Sequence, residues 1–137
     1  HFDATYLAVG NSHCEVWIYQ IATGQHQMMP GHTDSVTCVQ LAGDKLLSGS
    51  LDGDIRIWQL PVLDCLHILQ DPGNQVRSLQ ADSRFRIFSG TVSGTVCAWC
   101  VFRRCLHSRC GCFVVALALQ LEHNLMLSVE SAIASFL

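Results

Sequence analysis

The sequence repeats with a period of about 40 residues, and this periodicity constrains the fold more than any other feature. A short motif, Ser48-Gly49-Ser50, returns 41 residues later as Ser89-Gly90-Thr91. Tryptophan recurs at intervals of 41 residues and glutamine at intervals of 40, at positions Trp17, Trp58, Trp99 and Gln40, Gln80, Gln120. Periods of roughly 20 to 50 residues are typical of proteins built from stacked copies of one small unit. The repeat therefore predicts a series of equivalent units.

Each unit is predicted to contain four short β-strands. In the best-defined unit the strands are Val36–Leu41, Lys45–Ser50, Ile55–Trp58 and Cys65–Leu69, and they alternate as half-buried strands do. Asp52-Gly53, between the second and third strands, is a strong hairpin signal. Four strands in about 40 residues are typical of one blade of a β-propeller, so we predict an all-β fold.

Residues 31–58 resemble a WD repeat. The resemblance rests on Gly31-His32 at the start, Leu51-Asp52-Gly53 in the middle and Ile57-Trp58 at the end. It implies that a hydrogen-bonded tetrad stabilises the blade, formed by His32, Ser48, Asp52 and Trp58. The chemistry is consistent, because a histidine before the first strand can bridge a turn aspartate, a strand serine and an indole N–H. Each buried hydrogen bond contributes about 1 kcal/mol net.

The other units depart from this pattern. The aspartate that follows the tryptophan in the WD family is absent from every unit. The third unit keeps Ser89 and Trp99, but Pro72 stands in the histidine position and Ser93 in that of the turn aspartate. We interpret the first unit as having a shortened hairpin at Gly10–Cys14 and a repeat tryptophan at Trp17. We expect these blades to depend on apolar packing.

We predict one domain, residues 1–137, divided into blades at 1–30 (partial), 31–71, 72–112 and 113–137 (partial). A chain of 137 residues is long enough to bury one core. About three and a half blades do not close a ring, because closed propellers typically have about four to eight. We therefore expect an incomplete ring, a segment of a longer WD-repeat propeller, which the resemblance puts at about seven blades.

The eight cysteines raise the question of a metal site. Six Cys and His residues resemble a zinc-ligand spacing: Cys97, Cys100, Cys105, His107, Cys110 and Cys112. The first two lie three apart in one predicted strand and therefore face opposite sides. We predict reduced, buried, structural cysteines and neither metal nor cofactor. A metal-binding or catalytic Cys/His domain remains an alternative.

Catalysis is not predicted, because no nucleophile elbow, phosphate loop or metalloprotease motif is present. The net charge of −3 argues against a nucleic-acid partner. No stretch approaches the roughly 20 apolar residues of a membrane helix. Reduced cysteines and the lack of a secretory signal predict a location in the cytoplasm or nucleus.

Arg77 is the candidate ligand-binding residue. It follows Val76 at the start of a first strand, on the side of the blade that carries His32. The unit is similar to those of F-box/WD substrate receptors, and that resemblance implies that an arginine here faces the central channel and binds acidic or phosphorylated peptides. Guanidinium groups are well suited to carboxylate and phosphate.

These observations predict a non-enzymatic scaffold that binds a protein or peptide partner. The more specific alternative is an F-box/WD type subunit of a ubiquitin ligase, which binds substrate peptides and other ligase components. A non-functional truncation product is a further alternative that fits the incomplete units at both ends.

Overall fold

The structure is a computed structural model that describes residues 1–70 and 74–100 and the backbone of Leu117–Ala118. These residues form antiparallel sheets and contain no helix, as the sequence predicted. Accordingly, the described part of the chain has no helix of the length and hydrophobicity that a bilayer crossing requires.

Three sheets follow one another along the chain. The first contains β1 (Tyr6–Gly10), β2 (Val16–Gln20) and β3 (His26–Met29), in that order. The second contains, in order, β4 (Val36–Ala42), β5 (Lys45–Ser50), β6 (Asp54–Gln59) and β7 (Asp64–Gln70). Each of its strands lies within one residue of its predicted bounds.

The third sheet contains β8 (Val76–Ala81), β9 (Arg86–Thr91), β10 (Thr95–Cys100) and β11 (Leu117–Ala118). β11 pairs antiparallel with β10, so this sheet extends past residue 112, where we expected the fourth unit to begin. The motif that suggested an earlier outer strand, around Cys105, lies outside the described residues, and the other blade boundaries stay predictions.

Apolar clusters lie between consecutive sheets. The cluster between the first and second sheets contains Ala8, Val16, Ile18, Met29, Val36, Leu41, Leu46, Trp58 and Leu60. The cluster between the second and third contains Leu47, Ile55, Ile57, Leu69, Val76, Ala81, Ile87, Cys97 and Trp99. Leu46 and Leu47 are neighbours that enter different clusters, because successive strand residues point to opposite faces. The second sheet therefore buries both of its faces.

Each sheet approaches the next through a glycine. Gly10 faces Val36 of the second sheet, and Gly49 of the second sheet faces Val76 of the third. A Cβ atom on Gly49 would lie 2.7 Å from Cγ1 of Val76, which is too close for non-bonded carbon atoms. Consecutive sheets thus make the same close contact at equivalent positions.

Polar side chains add a second connection between the sheets. Gln40 of β4 accepts a hydrogen bond from the backbone N–H of Ala81 at 2.6 Å and donates one to the Ala81 carbonyl at 3.2 Å. The hydroxyl of Thr37 lies 2.7 Å from the carbonyl oxygen of Val76. The Gln40 carboxamide therefore takes the place of one residue of a neighbouring strand.

Candidate functional site

The four residues of the expected tetrad form a continuous chain of hydrogen bonds in the second sheet. The indole Nε1 of Trp58 donates to Ser48 Oγ at 3.0 Å. Ser48 Oγ lies 2.8 Å from His32 Nε2, and His32 Nδ1 lies 2.9 Å from Asp52 Oδ2. Because a carboxylate only accepts, Nδ1 carries the proton and Nε2 accepts from the serine hydroxyl. Every polar side-chain atom of these four residues then has a hydrogen-bond partner.

Asp52 connects the tetrad to the backbone. Its Oδ2 accepts the N–H of Thr33 at 2.9 Å, and its Oδ1 accepts the N–H of Asp54 at 2.8 Å. Burial by itself raises the pKa of Asp52, but the hydrogen bonds from Thr33, Asp54 and His32 outweigh it and lower the pKa below its usual value. The carboxylate therefore joins the loop before β4 to the turn between β5 and β6.

His32 is buried in this loop, and burial lowers the pKa of its imidazole, against the opposing effect of Asp52. The ring is therefore neutral near pH 7, as the hydrogen-bond pattern requires. Ser48, His32 and Asp52 have the order of a nucleophile, a base and an orienting acid. However, Ser48 has 0% of its surface exposed and its oxygen already accepts the Trp58 N–H. A substrate cannot reach that hydroxyl, so the arrangement fits a structural role.

The third sheet contains half of the same arrangement. Trp99 Nε1 donates to Ser89 Oγ at 2.9 Å, as Trp58 does to its serine. At the rim, Ser93 donates to the side chain of Asn74 at 2.7 Å and lies 2.9 Å from the hydroxyl of Thr91. The proline in the histidine position lies outside the described residues. In this part of the third sheet, hydroxyl and amide groups stand where the second sheet has a carboxylate.

Trp17 does not occupy the position of the other two tryptophans. Counted from the glycine that contacts the next sheet, Tyr19 has the register of Trp58, and Trp17 has that of Arg56. Gly10 pairs with Val16 across the same number of residues as Gly49 pairs with Ile55, so our interpretation of a shortened hairpin was wrong. The equal spacing of the three tryptophans concealed this difference in register, because the first sheet has a tyrosine, Tyr19, at the position where the other sheets have the tryptophan.

Trp17 instead lies half-buried on the face of the first sheet that is turned away from the second. Its indole donates to Glu15 at 3.0 Å. Its ring lies near those of Tyr19 and His26, with centroid distances of 6.5 and 5.9 Å. We therefore assign Trp17 to a surface aromatic cluster and not to the tetrad pattern.

Arg77 lies at the start of β8, in a bulge between Val76 and Ser78. Its side chain is exposed and forms no hydrogen bond or ion pair with any residue in the described ranges. The corresponding residue of the second sheet is Thr37, which also lies in a bulge but bonds to the neighbouring sheet. Arg77 belongs to the same rim as His32, where β4 and β8 begin.

The cysteines are less uniform than we expected. Cys97 is buried between the second and third sheets, with 1% of its surface exposed, but Cys65 is exposed and Cys14 and Cys38 are intermediate. All four are free thiols. Within the described residues no group of three or more Cys, His, Asp or Glu side chains is arranged to bind a metal ion. Four of the candidate zinc ligands lie outside them: Cys105, His107, Cys110 and Cys112.

Comparison with known proteins agrees with this geometry. Residues 23–59 match the family described as "WD domain, G-beta repeat". The matched stretch runs from the turn before β3 to the end of β6 and includes all four tetrad residues. The chain contains WD repeats. WD-repeat proteins generally serve as scaffolds for protein interactions and are typically not enzymes.

Two curated relatives share short stretches with this WD-repeat chain. It is 41% identical over 61 residues to Protein ROOT INITIATION DEFECTIVE 3 of Arabidopsis thaliana, covering 42% of this chain and 14% of that protein. It is 30% identical over 93 residues to the F-box/WD repeat-containing protein sel-10 of Caenorhabditis elegans, covering 66% and 16%. The chain thus spans about one sixth or less of these relatives.

A solved structure shows the same fold. The crystal structure of the C-terminal WD40 domain of Sif2 superimposes with a TM-score of 0.64 at 23% identity, and the match covers 72% of this chain and 30% of that one. The three sheets are therefore consecutive blades of a WD-repeat propeller, and they form only part of a ring.

Proposed function

We propose that this chain is part of a non-enzymatic interaction scaffold and that the rim carrying Arg77 binds an acidic or phosphorylated peptide. The observation that carries the proposal is the exposed Arg77 side chain, which has no partner among the described residues. A guanidinium group offers five N–H donors in a planar arrangement that matches carboxylate or phosphate. An arginine without an intramolecular partner keeps these donors available for a ligand.

The surroundings of Arg77 support recognition by a rigid surface. The residue before it, Val76, is 1% exposed and packs in the cluster between the second and third sheets. The carbonyl of Val76 is also held by Thr37 of the second sheet. The backbone at Arg77 is therefore fixed on one side, which reduces the entropy that ligand binding costs.

A second candidate function is that of a substrate-recognition subunit in a ubiquitin ligase, with other ligase components as additional partners. It is favoured by the 30% identity to an F-box/WD repeat-containing protein over 93 residues. Such a subunit acts in the cytoplasm or nucleus, the location we propose for this chain. Co-purification of the full-length protein with ligase components would distinguish it from a scaffold with other partners.

The test compares Arg77→Glu with Arg84→Glu in the full-length protein. Arg84 is also exposed, but it lies in the turn at the opposite end of β8. The probes are arrays of serine-containing peptides in phosphorylated and unphosphorylated form, together with glutamate-rich peptides. We expect binding of phosphorylated or acidic peptides to fall at least about tenfold with Arg77→Glu, because a charge-assisted hydrogen bond is lost.

The control variant Arg84→Glu is expected to leave the same affinities unchanged. Equal effects of the two substitutions would show that general charge, and not this rim, determines binding. A large loss of thermal stability in Arg77→Glu would show that the arginine is a structural partner of a neighbouring sheet, as Thr37 is, and would reject the proposed role.

A further inference from the structure

A second concave surface lies at the opposite end of the sheets from Arg77. It is a cleft of about 640 Å³ between the first and second sheets. Its walls are the end of β2, the turn into β3, the start of β3 itself and the turn between β6 and β7. Since neither His32 nor Arg77 contributes to it, the cleft is separate from the proposed peptide-binding rim.

The cleft combines an apolar floor with uncharged polar walls. Ile18 is buried at its base, and Tyr6, Leu63 and Pro61 add apolar surface. The polar residues of the lining are Gln20, Thr23, Gln25, His26 and Gln27. The lining contains no Lys, Arg, Asp or Glu, so a charged ligand would find no counter-ion there.

Two carboxamides on the wall are available for a ligand. The side chains of Gln25 and Gln27 are exposed and form no hydrogen bond with any residue that the structure describes. Each carboxamide has one acceptor oxygen and two N–H donors, which complement the N–H and C=O of a peptide group. His26 lies between these two residues in the sequence. Its ring stacks on that of Tyr19, with a centroid distance of 5.3 Å.

β3, which contains Gln27 and directly follows Gln25, also has a free edge. β3 pairs with β2 on one side and has no strand on its other side within the described part of the chain. Its outward N–H and C=O groups are therefore open to an extended polypeptide, as in strand addition to a sheet edge. A strand added there would direct alternate side chains towards Pro61 and Leu63.

We propose that this cleft binds an extended, uncharged peptide segment of a partner protein, which pairs with the edge of β3 and inserts an apolar side chain against Leu63 and Pro61. The glutamine carboxamides hydrogen-bond to its main chain. The absence of charge in the lining selects the chemistry of the segment, and it differs from the acidic ligand of the Arg77 rim. The inference does not depend on the function proposed for Arg77.

The experiment selects a phage-displayed library of random peptides against the full-length protein. The variants are the pair Gln25→Glu with Gln27→Glu, which adds two carboxylates to the wall, and the control Ser83→Glu. Ser83 is exposed in the turn between β8 and β9, at the same end of the sheets. We expect selected peptides to share an apolar residue flanked by uncharged residues, and to bind the double variant at least about tenfold more weakly.

The control and Arg77→Glu are expected to retain full affinity for these peptides. Failure to enrich any peptide that distinguishes the wild type from the double variant would overturn the proposal. Enrichment only of acidic peptides that are lost with Arg77→Glu would also overturn it, while leaving the function proposed for Arg77 intact. Because both glutamines are exposed, the double variant is expected to fold, and an unchanged thermal melt checks this.

Discussion

The second and third sheets share a tryptophan–serine hydrogen bond but complete it with different chemistry. In the second sheet the serine continues through an imidazole to a carboxylate. In the third, the described rim residues bond through Ser93 and Asn74. The conserved half of the arrangement joins two strands inside the sheet, and the variable half lies at the rim. Between these two sheets, the difference therefore lies at the rim, where loops present recognition surfaces.

The difference also concerns charge and burial. Asp52 keeps only 7% of its side chain exposed and accepts three hydrogen bonds. Ser93 is exposed and uncharged, so its removal would leave no buried charge or buried N–H group without a partner. We expect the rim of the second sheet to be stiffer and more sensitive to substitution than that of the third.

The largest expected effect is that of Trp58→Ala. Removal of this buried aromatic ring should lower the free energy of unfolding by about 3–5 kcal/mol, since it leaves a cavity between the first two sheets and an unfilled acceptor on Ser48. The matched control is Trp17→Ala, which removes a half-buried ring and should cost much less. Urea denaturation of the full-length protein measures both, and equal losses would refute the reassignment of Trp17.

The next effect tests the two rims directly. Asp52→Ala should cost about 2–4 kcal/mol, because it leaves the His32 Nδ1–H and two backbone N–H groups without an acceptor. Ser93→Ala, at the equivalent position of the third sheet, should cost about 1 kcal/mol or less. Unfolding free energies of the two variants are compared under identical conditions. A loss for Ser93→Ala as large as that for Asp52→Ala would show that the two rims are energetically equivalent.

The strand positions could be predicted from the sequence more fully than the site could. The alternation and turn residues of the second unit determined its four strands, because they are local signals. The tetrad could be anticipated from the resemblance to a WD repeat, because this unit has the implied residue type at each of the four positions. The register of Tyr19 could not be, since it depends on which residues of β1 and β2 pair across the sheet. The cleft was also missed, because residues 20–27 and 61–63 are brought together only by the packing of two sheets.

A smaller effect concerns the connection between the two compared sheets. Gln40→Leu should lower the free energy of unfolding by about 1–3 kcal/mol, because it leaves the N–H of Ala81 without its side-chain acceptor. Gln80→Leu provides the control, since the side chain of Gln80 is exposed and, among the residues that the structure describes, forms only a long hydrogen bond to the neighbouring carbonyl of Ala81. If both variants have the same stability, the Gln40 carboxamide does not hold the sheets together.

The smallest effect is a pH dependence that belongs to the second sheet. Burial lowers the pKa of His32 in the folded protein. Its contribution to the free energy of unfolding is therefore complete above about pH 6.5 and decreases as the pH falls. The slope should be at most about 1.4 kcal/mol per pH unit. The pKa of Asp52 is also lowered, so this residue makes the stability depend on pH only below about pH 4. Residues 74–100 contain no histidine, so this part of the third sheet should not contribute.

Chemical denaturation between pH 5.5 and 7.5 of wild type and His32→Gln measures this dependence, at pH values on either side of the ordinary histidine pKa of about 6.5. The variant should be less stable at neutral pH and should lack most of the slope. An unchanged slope would show that His32 is not the source of the pH dependence.

The contact between Gly49 and Val76, and the equivalent one between Gly10 and Val36, has a consequence for the size of the whole ring. Each contact brings one sheet as close to the next as backbone and methyl groups allow. The distance at this point is one of the contacts that limit the angle by which each blade is rotated relative to its neighbour. The number of blades in a closed ring is a full turn divided by that angle. An added methyl group at Gly49 would change the angle, so these glycines help to determine how many blades complete the circle.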